Sequence, residues 1–214
     1  MKDILIVGGY GMLGSAFPKN IPRIMKGTKD ISLIEKEIRL RKPKYVINCA
    51  GIVGQYMCRD AGETYCANLA VPIMLARICE NIGATLIQYS TFYDGEGYYY
   101  KSKRLMEDAM LDIPHICMIY LPTLFNEDFD IAHYISSFHL AYTKDIVDWT
   151  LSNLDTVDVF LCNEGYPTRQ EFVEYTGRKF DAVLRRFNAV EEWEEATLTE
   201  MRPWRDAIDE TRIF

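Results

Sequence analysis

A tyrosine and a lysine separated by three residues are the pair in this sequence best suited to acid–base chemistry. Tyr99 and Lys103 lie one helical turn apart, so a helix would place both side chains on the same face. A neighbouring ammonium group favours the phenolate and should lower the pKa of the tyrosine from about 10 toward neutrality. Such a phenol can donate a proton to a carbonyl oxygen during hydride delivery. A hydroxyl group from Thr91 or Ser90 could share the charge that develops on that oxygen.

The sequence contains a second tyrosine–lysine pair with the same spacing, Tyr175 and Lys179. We interpret this pair as a chance match, because it lies beyond the region of alternating strands and helices and no pair of hydroxyl residues precedes it at a strand end. Tyr99, in contrast, opens a predicted helix shortly after Ser90 and Thr91, which end a predicted strand.

A glycine-rich segment near the start of the chain has the spacing of a nucleotide-binding turn. Gly8, Gly11 and Gly14 fit G-x-x-G-x-x-G, and with Gly9 in place of Gly8 the segment also fits G-x-G-x-x-G. The segment follows the apolar run 4–7 and opens a short predicted helix, where backbone N–H groups and the helix N-terminus can hold a pyrophosphate. A plain glycine turn between a strand and a helix remains the alternative.

The region that would contact the adenine ribose is basic. A clear acidic residue is missing about 20 residues after the glycine loop, where dinucleotide-binding chains carry one, and Arg23, Lys26 and Lys29 occupy that region. Cations there would suit a 2′-phosphate, which slightly favours NADP over NAD. A solvated basic loop explains the same residues equally well.

Alternating strands and helices predict how these residues are positioned. Apolar runs predict strands over 4–7, 45–50, 85–89 and 115–121, with a weak strand near 23–25. Helical spacing predicts helices over 12–18, 31–40, 68–82 and 101–110. Asp30 is available to cap the second helix, and Gly83 is suited to end the third. This alternation indicates βαβ units and a parallel sheet covered on both faces.

The carboxyl ends of parallel strands lie at one edge of the sheet, and ligands of such sheets bind there. Three segments follow predicted strand ends: the glycine loop, residues 50–51 and residues 90–91. We therefore expect them to converge on one crevice.

Beyond about residue 124 the pattern changes. Helices are predicted over 131–140, 144–154, 169–176 and 180–187, with one short strand over 157–161. The sequence thus predicts an α/β chain with a Rossmann-like doubly wound parallel sheet. Residues 1–125 would form an NAD(P)-binding domain, and residues 126–214 a small, mostly helical substrate-binding region.

Composition excludes several classes of protein. The 214 residues carry 24 basic and 31 acidic side chains, a net charge of −7, which argues against nucleic acid as a partner. No apolar run approaches the roughly 18 residues of a membrane span, so we expect a cytoplasmic protein without membrane contact. The six cysteines show no C-x-x-C spacing and are expected to be reduced thiols. The three histidines share no metal-ligand spacing, so no metal site is predicted.

The ordered blocks of this sequence resemble the extended short-chain dehydrogenases, and specifically the dTDP-4-dehydrorhamnose reductase family. The likeness spans nearly the whole chain. Five blocks carry it: ILIVGGYGMLG (4–14), KPKYVINCAG (42–51), STFYDG (90–95), YYKSKRLME (99–107) and RPWRDAID (202–209).

The resemblance implies roles for residues in these blocks. Tyr99 would be the proton donor, Lys103 would contact the nicotinamide ribose, and Thr91 would assist together with Ser90. Arg202 would help to form a sugar-nucleotide pocket, together with Thr91 and Tyr99. The residues that would bind NADP or NAD are Gly8, Tyr10, Gly11, Met12, Leu13, Gly14, Asp30, Ile31, Cys49, Ala50, Gly51, Asn68 and Lys103.

The sequence also departs from the family. The segment between Thr91 and Tyr99, a long substrate-side loop in the family, has seven residues here. Phe92 stands where the family has Asp, and Leu121 stands where an arginine follows the next strand. We expect an NAD(P)H-dependent reductase of a 4-keto-6-deoxy sugar nucleotide, with a homodimer as an option. A nucleotide-sugar epimerase or dehydratase that retains its cofactor, and a non-catalytic NADP-binding regulatory subunit, are the alternatives.

Overall fold

A seven-stranded parallel β-sheet forms the centre of the protein. The structure is a computed structural model that describes residues 3–24, 31–53, 60–91, 93, 95–126, 140–156, 158–164, 171, 175 and 198–211. Its strands are β1 (Ile4–Val7), β2 (Arg23–Ile24), β3 (Tyr45–Asn48), β4 (Thr85–Thr91), β5 (Ile116–Leu121), β6 (Thr123–Phe125), β7 (Leu140–Tyr142), β8 (Val159–Glu164) and β9 (Leu198–Pro203). The main sheet has the order β2-β1-β3-β4-β5-β8-β9, and β6 pairs with β7 in a separate sheet.

Helices connect these strands. They are α1 (Met12–Ala16), α2 (Ile31–Arg41), α3 (Ala61–Tyr65), α4 (Val71–Ile82), α5 (Tyr98–Met110), α6 (Thr143–Ser152) and α7 (Trp204–Thr211). A π-helical turn, Cys66–Ala70, joins α3 to α4. Helix α4 ends at Gly83, whose φ of 72° is left-handed, as predicted for a glycine cap.

The hydrophobic core lies on both faces of the main sheet. Ile4 and Ile6 of β1 pack into one cluster, while Leu5 and Val7 pack into the other. Side chains of α1 and α6 complete the first cluster, and side chains of α2, α4 and α5 complete the second. Burial on both faces explains why the strands read as continuous apolar runs. The predicted doubly wound α/β fold is confirmed.

The order in which successive strands are added to the sheet reverses at β1, which lies between β2 and β3. The chain passes from β1 to β2 on one side and then crosses to β3 on the other. Such a switch point opens a crevice outside the carboxyl ends of the two strands. The glycine loop follows β1, and the predicted cofactor edge follows β3, so both lie at this crevice.

Element boundaries differ in places from the prediction. The strand predicted over 45–50 ends at Asn48, and the backbone of Ala50 packs against Gly8 in the turn after β1. The helix predicted from residue 68 begins instead with the π-helical turn, and the helix predicted from residue 101 begins at Tyr98. These shifts leave the order of the elements unchanged.

The C-terminal part contributes strands as well as helices. The helix predicted over 144–154 is α6, and the strand predicted over 157–161 is β8, displaced toward the C-terminus. Strands β8 and β9 extend the same main sheet as the N-terminal part. The predicted helix 131–140 lies outside the described residues except for Leu140, which begins β7. The predicted helices over 169–176 and 180–187 fall outside them except for residues 171 and 175, so the division at residue 125 stays a prediction.

Candidate active site

The glycine loop is closely packed where it leaves β1. Gly8 has a φ of 77°, and a Cβ atom added there would lie 2.4 Å from the backbone nitrogen of Ala50. A Cβ added at Gly14 would lie 2.3 Å from the carbonyl oxygen of Gly8. Both distances are too short for real Cβ contacts, and the obstructing atoms are backbone. The fold itself therefore requires glycine at these two positions.

Gly11 differs, because an added Cβ would meet only the carbonyl oxygen of Gly8, at 3.7 Å. Packing among the described residues therefore does not require glycine at this position, where α1 begins. Close approach of a ligand to the backbone is one reason for glycine here, and it matches the role of a middle glycine in a pyrophosphate-binding turn; a plain turn is the alternative. The first N–H groups of α1 also have no acceptor within the helix. The loop geometry thus fits a dinucleotide cofactor.

The other residues predicted in this loop separate into two groups. Tyr10 and Met12 are exposed, with 59% and 37% of their surface accessible, so they flank the loop on its solvent side. Leu13 is buried in the first core cluster and anchors α1. Ile31 begins α2 and packs against the second cluster. Asp30 lies outside the described residues.

Arg23 holds the glycine loop together. Its guanidinium Nη1 donates to the carbonyl oxygen of Gly9 at 3.3 Å, and its Nη2 donates to those of Phe17 and Pro18 at 3.2 and 2.7 Å. Because these donors point at the loop and the end of α1, we assign Arg23 to positioning the loop rather than to binding a 2′-phosphate. Lys26 and Lys29 lie outside the described residues, so the choice between NADP and NAD stays open.

The loop after β3 forms the opposite wall of the crevice. Asn68 is buried, and its side-chain amide donates to the carbonyl oxygen of Ile52 and accepts from its N–H, both at 2.8 Å. A Cβ added at Gly51 would lie 3.1 Å from the Asn68 Oδ1 atom. Asn68 thus acts on this wall by fixing the loop backbone. Burial raises the pKa of the Cys49 thiol, so this half-buried side chain stays protonated.

Helix α5 carries Tyr99 and Lys103 beside the end of β4. Tyr99 is partly exposed, and its ring lies edge-on to the ring of Tyr100, with 5.2 Å between the ring centroids. Lys103 is buried, and its Nζ donates to the carbonyl oxygen of Tyr89 in β4 at 2.9 Å. The structure therefore brings the predicted tyrosine and lysine to the sheet edge that carries the glycine loop.

Ser90 and Thr91 are consecutive in β4, so their side chains face opposite sides of the sheet. The Ser90 hydroxyl donates to the carboxylate of Glu107 in α5. The Thr91 Oγ1 atom accepts the N–H of Tyr93 at 3.2 Å, which leaves the hydroxyl hydrogen to donate to a ligand oxygen. Of the two predicted hydroxyl groups, that of Ser90 is therefore used by Glu107, while the contact given for Thr91 leaves its hydrogen available.

A buried chain of amide groups, which the sequence reasoning missed, connects the crevice wall to Lys103. The Asn48 side chain accepts from the N–H of Ala50 at 3.0 Å and donates to the Gln88 Oε1 atom at 2.7 Å. Gln88 in turn donates to the carbonyl oxygen of Tyr89 at 2.8 Å, the same oxygen that Lys103 binds. Polar residues inside otherwise apolar strands were the available signal.

Arg202, predicted to contact substrate, is paired with two carboxylates. Its Nε and Nη2 atoms bind both oxygens of Asp145 at 2.9 and 2.8 Å, and its Nη1 atom binds Glu210 at 2.6 Å. The bonds to Asp145 and Glu210 raise the pKa of Arg202, while bonds from Lys144 and from Arg202 lower the pKa of Glu210. A substrate phosphate would have to compete with both carboxylates, so substrate contact by Arg202 stays a prediction.

Asn163 lies under this ion pair and is fully buried. Its amide accepts the N–H of Tyr142 at 2.7 Å and donates to Asp145 and to the carbonyl oxygen of Arg202, at 2.7 and 2.9 Å. Asn163→Ala should lower the free energy of unfolding by about 2 kcal/mol, because a buried N–H loses its acceptor. Urea denaturation measures this. Asn153→Ala is the control, since that side chain donates only within its own helix turn, and an equal loss in both variants would contradict the prediction.

The remaining predicted features concern other parts of the chain. The Tyr175 hydroxyl donates to both carboxylate oxygens of Asp209, at 2.9 and 2.8 Å, so it contacts α7. Lys179 and Phe92 lie outside the described residues. Leu121 is buried at the end of β5.

Within the described ranges we find no cluster of metal-ligating side chains, no disulfide among the cysteines, and no helix long and apolar enough to cross a membrane.

Several solved structures have a similar fold, and the similarity covers nearly the whole chain. The dTDP-4-dehydrorhamnose reductase of Bacillus anthracis in complex with NADP has a TM-score of 0.79 at 16% identity, covering 100% of this chain and 98% of that chain. The Clostridium acetobutylicum dTDP-4-dehydrorhamnose reductase has a TM-score of 0.76 at 19% identity, covering 97% of each chain. The UDP-glucose 4-epimerase of Thermus thermophilus in complex with NAD has a TM-score of 0.68 at 13% identity, covering 98% of this chain and 93% of that chain.

No protein-family model and no curated protein matches the sequence. The structural likeness agrees with the fold that the sequence blocks imply. The chain therefore has the fold of the dTDP-4-dehydrorhamnose reductases, a Rossmann-like parallel sheet that also occurs in a UDP-glucose 4-epimerase.

Proposed function

We propose that this protein is an NAD(P)H-dependent reductase that converts the ketone of a 4-keto-6-deoxy sugar nucleotide to an alcohol. One observation carries the proposal: α5 holds Tyr99 and Lys103 against the end of β4, at the sheet edge where the glycine loop follows β1. A proton donor, a buried cation and a strand-end hydroxyl thus lie at the edge where a dinucleotide would bind.

The reduction adds a hydride to the carbonyl carbon and a proton to the carbonyl oxygen. The nicotinamide supplies the hydride when it is bound. In our proposal the Tyr99 hydroxyl donates the proton to the carbonyl oxygen on C4, and solvent later reprotonates the phenolate. The Thr91 hydroxyl donates a hydrogen bond to the same oxygen as negative charge develops on it. Lys103 follows Tyr99 by one helical turn, and its positive charge would favour the phenolate that remains after proton transfer.

The proposed cofactor site uses both walls of the crevice. Gly11 allows the pyrophosphate to approach the backbone, while Gly8 and Gly14 keep the loop compact. On the opposite side, Ala50 and Gly51 lie in the loop that Asn68 fixes. The exposed side chains of the glycine loop, Tyr10 and Met12, are available to cover a bound dinucleotide.

The substrate class rests on similarity in fold and on the sequence blocks. The two solved structures with TM-scores of 0.79 and 0.76 are named as dTDP-4-dehydrorhamnose reductases. A 4-keto-6-deoxy sugar joined to a nucleoside diphosphate is the substrate class that we infer from them for this chain. The base and the sugar stereochemistry are left to the experiment.

The test is a turnover assay of the purified chain. We expect NADPH or NADH to be oxidised when a dTDP- or UDP-4-keto-6-deoxy sugar is added, with loss of the reduced nicotinamide absorbance. A thermal-shift titration with each cofactor checks binding independently, because a ligand that binds only the folded state raises its stability. Cofactor binding without turnover of any such sugar would refute the proposed reaction.

Epimerisation is the second candidate, favoured by the similarity to the UDP-glucose 4-epimerase complexed with NAD. An epimerase or a dehydratase returns the hydride to its substrate, so the cofactor would copurify and show no net consumption. A regulatory nucleotide-binding subunit would bind cofactor and be indifferent to loss of the Tyr99 hydroxyl. Net oxidation of the cofactor, its copurification and the effect of Tyr99→Phe together separate the three functions.

A further inference from the structure

We infer that Arg104 is a positioning residue: its guanidinium group, held by Glu107, fixes the backbone that follows β4 and thereby aims the Thr91 hydroxyl at the substrate carbonyl. This inference rests on the proposed function, in which Thr91 donates to the reacting oxygen. Arg104 itself would contact neither cofactor nor substrate.

The contacts of Arg104 converge on the residues around Thr91. One terminal nitrogen, Nη2, donates to the carbonyl oxygens of Thr91 and Tyr93, at 2.9 and 3.0 Å. The other, Nη1, forms an ion pair with the Glu107 carboxylate. The two carbonyl groups flank the point where the chain leaves the sheet, so a single planar group sets the direction of the chain there.

The Thr91 hydroxyl depends on this direction. Its Oγ1 atom accepts the N–H of Tyr93, whose own carbonyl oxygen Arg104 holds. A change in the path of the chain would therefore move both the hydroxyl and the hydrogen bond that orients it. Because Arg104 lies on the helix that carries Tyr99, it also fixes the strand end relative to the proton donor.

Helix α5 binds β4 at successive residues. Lys103 binds the carbonyl oxygen of Tyr89, Glu107 accepts from the Ser90 hydroxyl, and Arg104 binds the carbonyl oxygen of Thr91. Each bond involves an ionised side chain of the helix, and such bonds are stronger than neutral ones. The register between the helix and the strand end is therefore set by charged groups.

The Arg104–Glu107 ion pair is largely buried, so solvent screens it less than an exposed pair. The side chains are 24% and 12% exposed, respectively. Burial raises the pKa of Glu107, while the Ser90 hydroxyl and Arg104 oppose that shift. Removing Arg104 would leave a largely buried carboxylate without its counter-ion, so the pair holds a defined geometry.

Helix α4 offers a matched control. Arg77 and Glu80 form an ion pair with the same sequence spacing at 3.0 Å, but their side chains are 58% and 35% exposed. Exposed pairs of this kind contribute little. Arg77→Met removes the same type of charge and side chain on a different helix, at a residue to which the proposed site assigns no role.

The first experiment compares Arg104→Met with Arg77→Met. We expect kcat to fall by roughly 10- to 100-fold in Arg104→Met, since a displaced catalytic group costs this much. The Kd for NADPH should stay unchanged, because the glycine loop is not involved. Hydrogen exchange at the Tyr93 amide should accelerate by roughly tenfold, because the bonds that hold this segment are lost. Arg77→Met should change none of these.

The second experiment tests whether Arg104 acts through Thr91. In the Thr91→Ala background, Arg104→Met should cost little further activity, because the hydroxyl that it aims is absent. A purely structural role would give the same loss in both backgrounds and would overturn the inference. Arg104→Lys should retain part of the activity, since an ammonium group keeps the charge but lacks the planar fork.

The outcomes separate this inference from the proposed function. If the wild-type protein turns over no sugar nucleotide, the proposed function fails, and exchange at the Tyr93 amide still decides whether Arg104 fixes the chain. If Arg104→Met matches Arg77→Met in kcat and in exchange, the inference is wrong. Should Arg104→Met fail to fold, Arg104→Met/Glu107→Gln removes both charges and takes its place.

Discussion

Tyr99→Phe is expected to lower kcat for the sugar nucleotide by about 10²- to 10⁴-fold, the range that a positioned proton donor contributes. The substitution removes only the hydroxyl oxygen, so the ring keeps its edge contact with Tyr100. Lys103 keeps its bond to β4, and the glycine loop is untouched. Cofactor affinity should therefore equal that of the wild-type protein, and the loss should appear in the chemical step.

Two measurements check this prediction. Single-turnover oxidation of NADPH with saturating substrate isolates the chemical step, and a fluorescence titration gives the cofactor Kd. Tyr98→Phe is the matched control, because Tyr98 is adjacent, 44% exposed, and in edge contact with the Tyr65 ring. If Tyr99→Phe retains wild-type kcat, Tyr99 is not the proton donor, and the proposed mechanism is wrong.

The sequence predicted those parts of the fold in which local pattern and tertiary environment agree. β1 and β3 are buried on both faces, so each appears as a mostly apolar run. Strands β6 and β7 have three residues each, too few for a pattern. β9 carries Thr199 and Arg202 among its residues, and its place in the sheet depends on pairing with β8.

The residues of the candidate site also divide into those that could be predicted from sequence and those that could not. Tyr99 and Lys103 could be paired from sequence because a helix fixes their relation. The alternation of a strand could also have separated Ser90 from Thr91, since neighbouring residues face opposite sides. Arg104, by contrast, acts through backbone carbonyl groups of another element, and no residue type marks those.

Arg202 illustrates a different limit of sequence reasoning. A block that resembles the family identifies the arginine, while the partners that occupy its guanidinium lie elsewhere in the chain. Asp145 is on α6 and Glu210 is on α7. Only the fold shows that two carboxylates occupy the guanidinium group of an arginine that was predicted to contact substrate.

Gly11→Ala and Gly14→Ala should separate cofactor binding from folding. At Gly14 the new methyl group would lie 2.3 Å from one backbone atom and 2.8 Å from another, so we expect the free energy of unfolding to fall by about 3 kcal/mol. At Gly11 the methyl group makes an ordinary contact at 3.7 Å, and the φ of −80° suits alanine. Gly11→Ala should therefore fold with nearly wild-type stability.

Cofactor binding, unlike stability, should be weakened in Gly11→Ala, because the added methyl group occupies space that the pyrophosphate would use. We expect its Kd for NADPH to rise about tenfold, equivalent to about 1.4 kcal/mol, as measured by calorimetric titration alongside urea denaturation. Gly83→Ala is the control: its φ of 72° makes alanine strained, yet nothing lies within 4 Å of the added atom. That variant should lose stability and keep cofactor affinity. Wild-type affinity in Gly11→Ala would instead mean that the loop is a plain turn between β1 and α1, because a methyl group at the centre of a pyrophosphate cradle cannot be neutral.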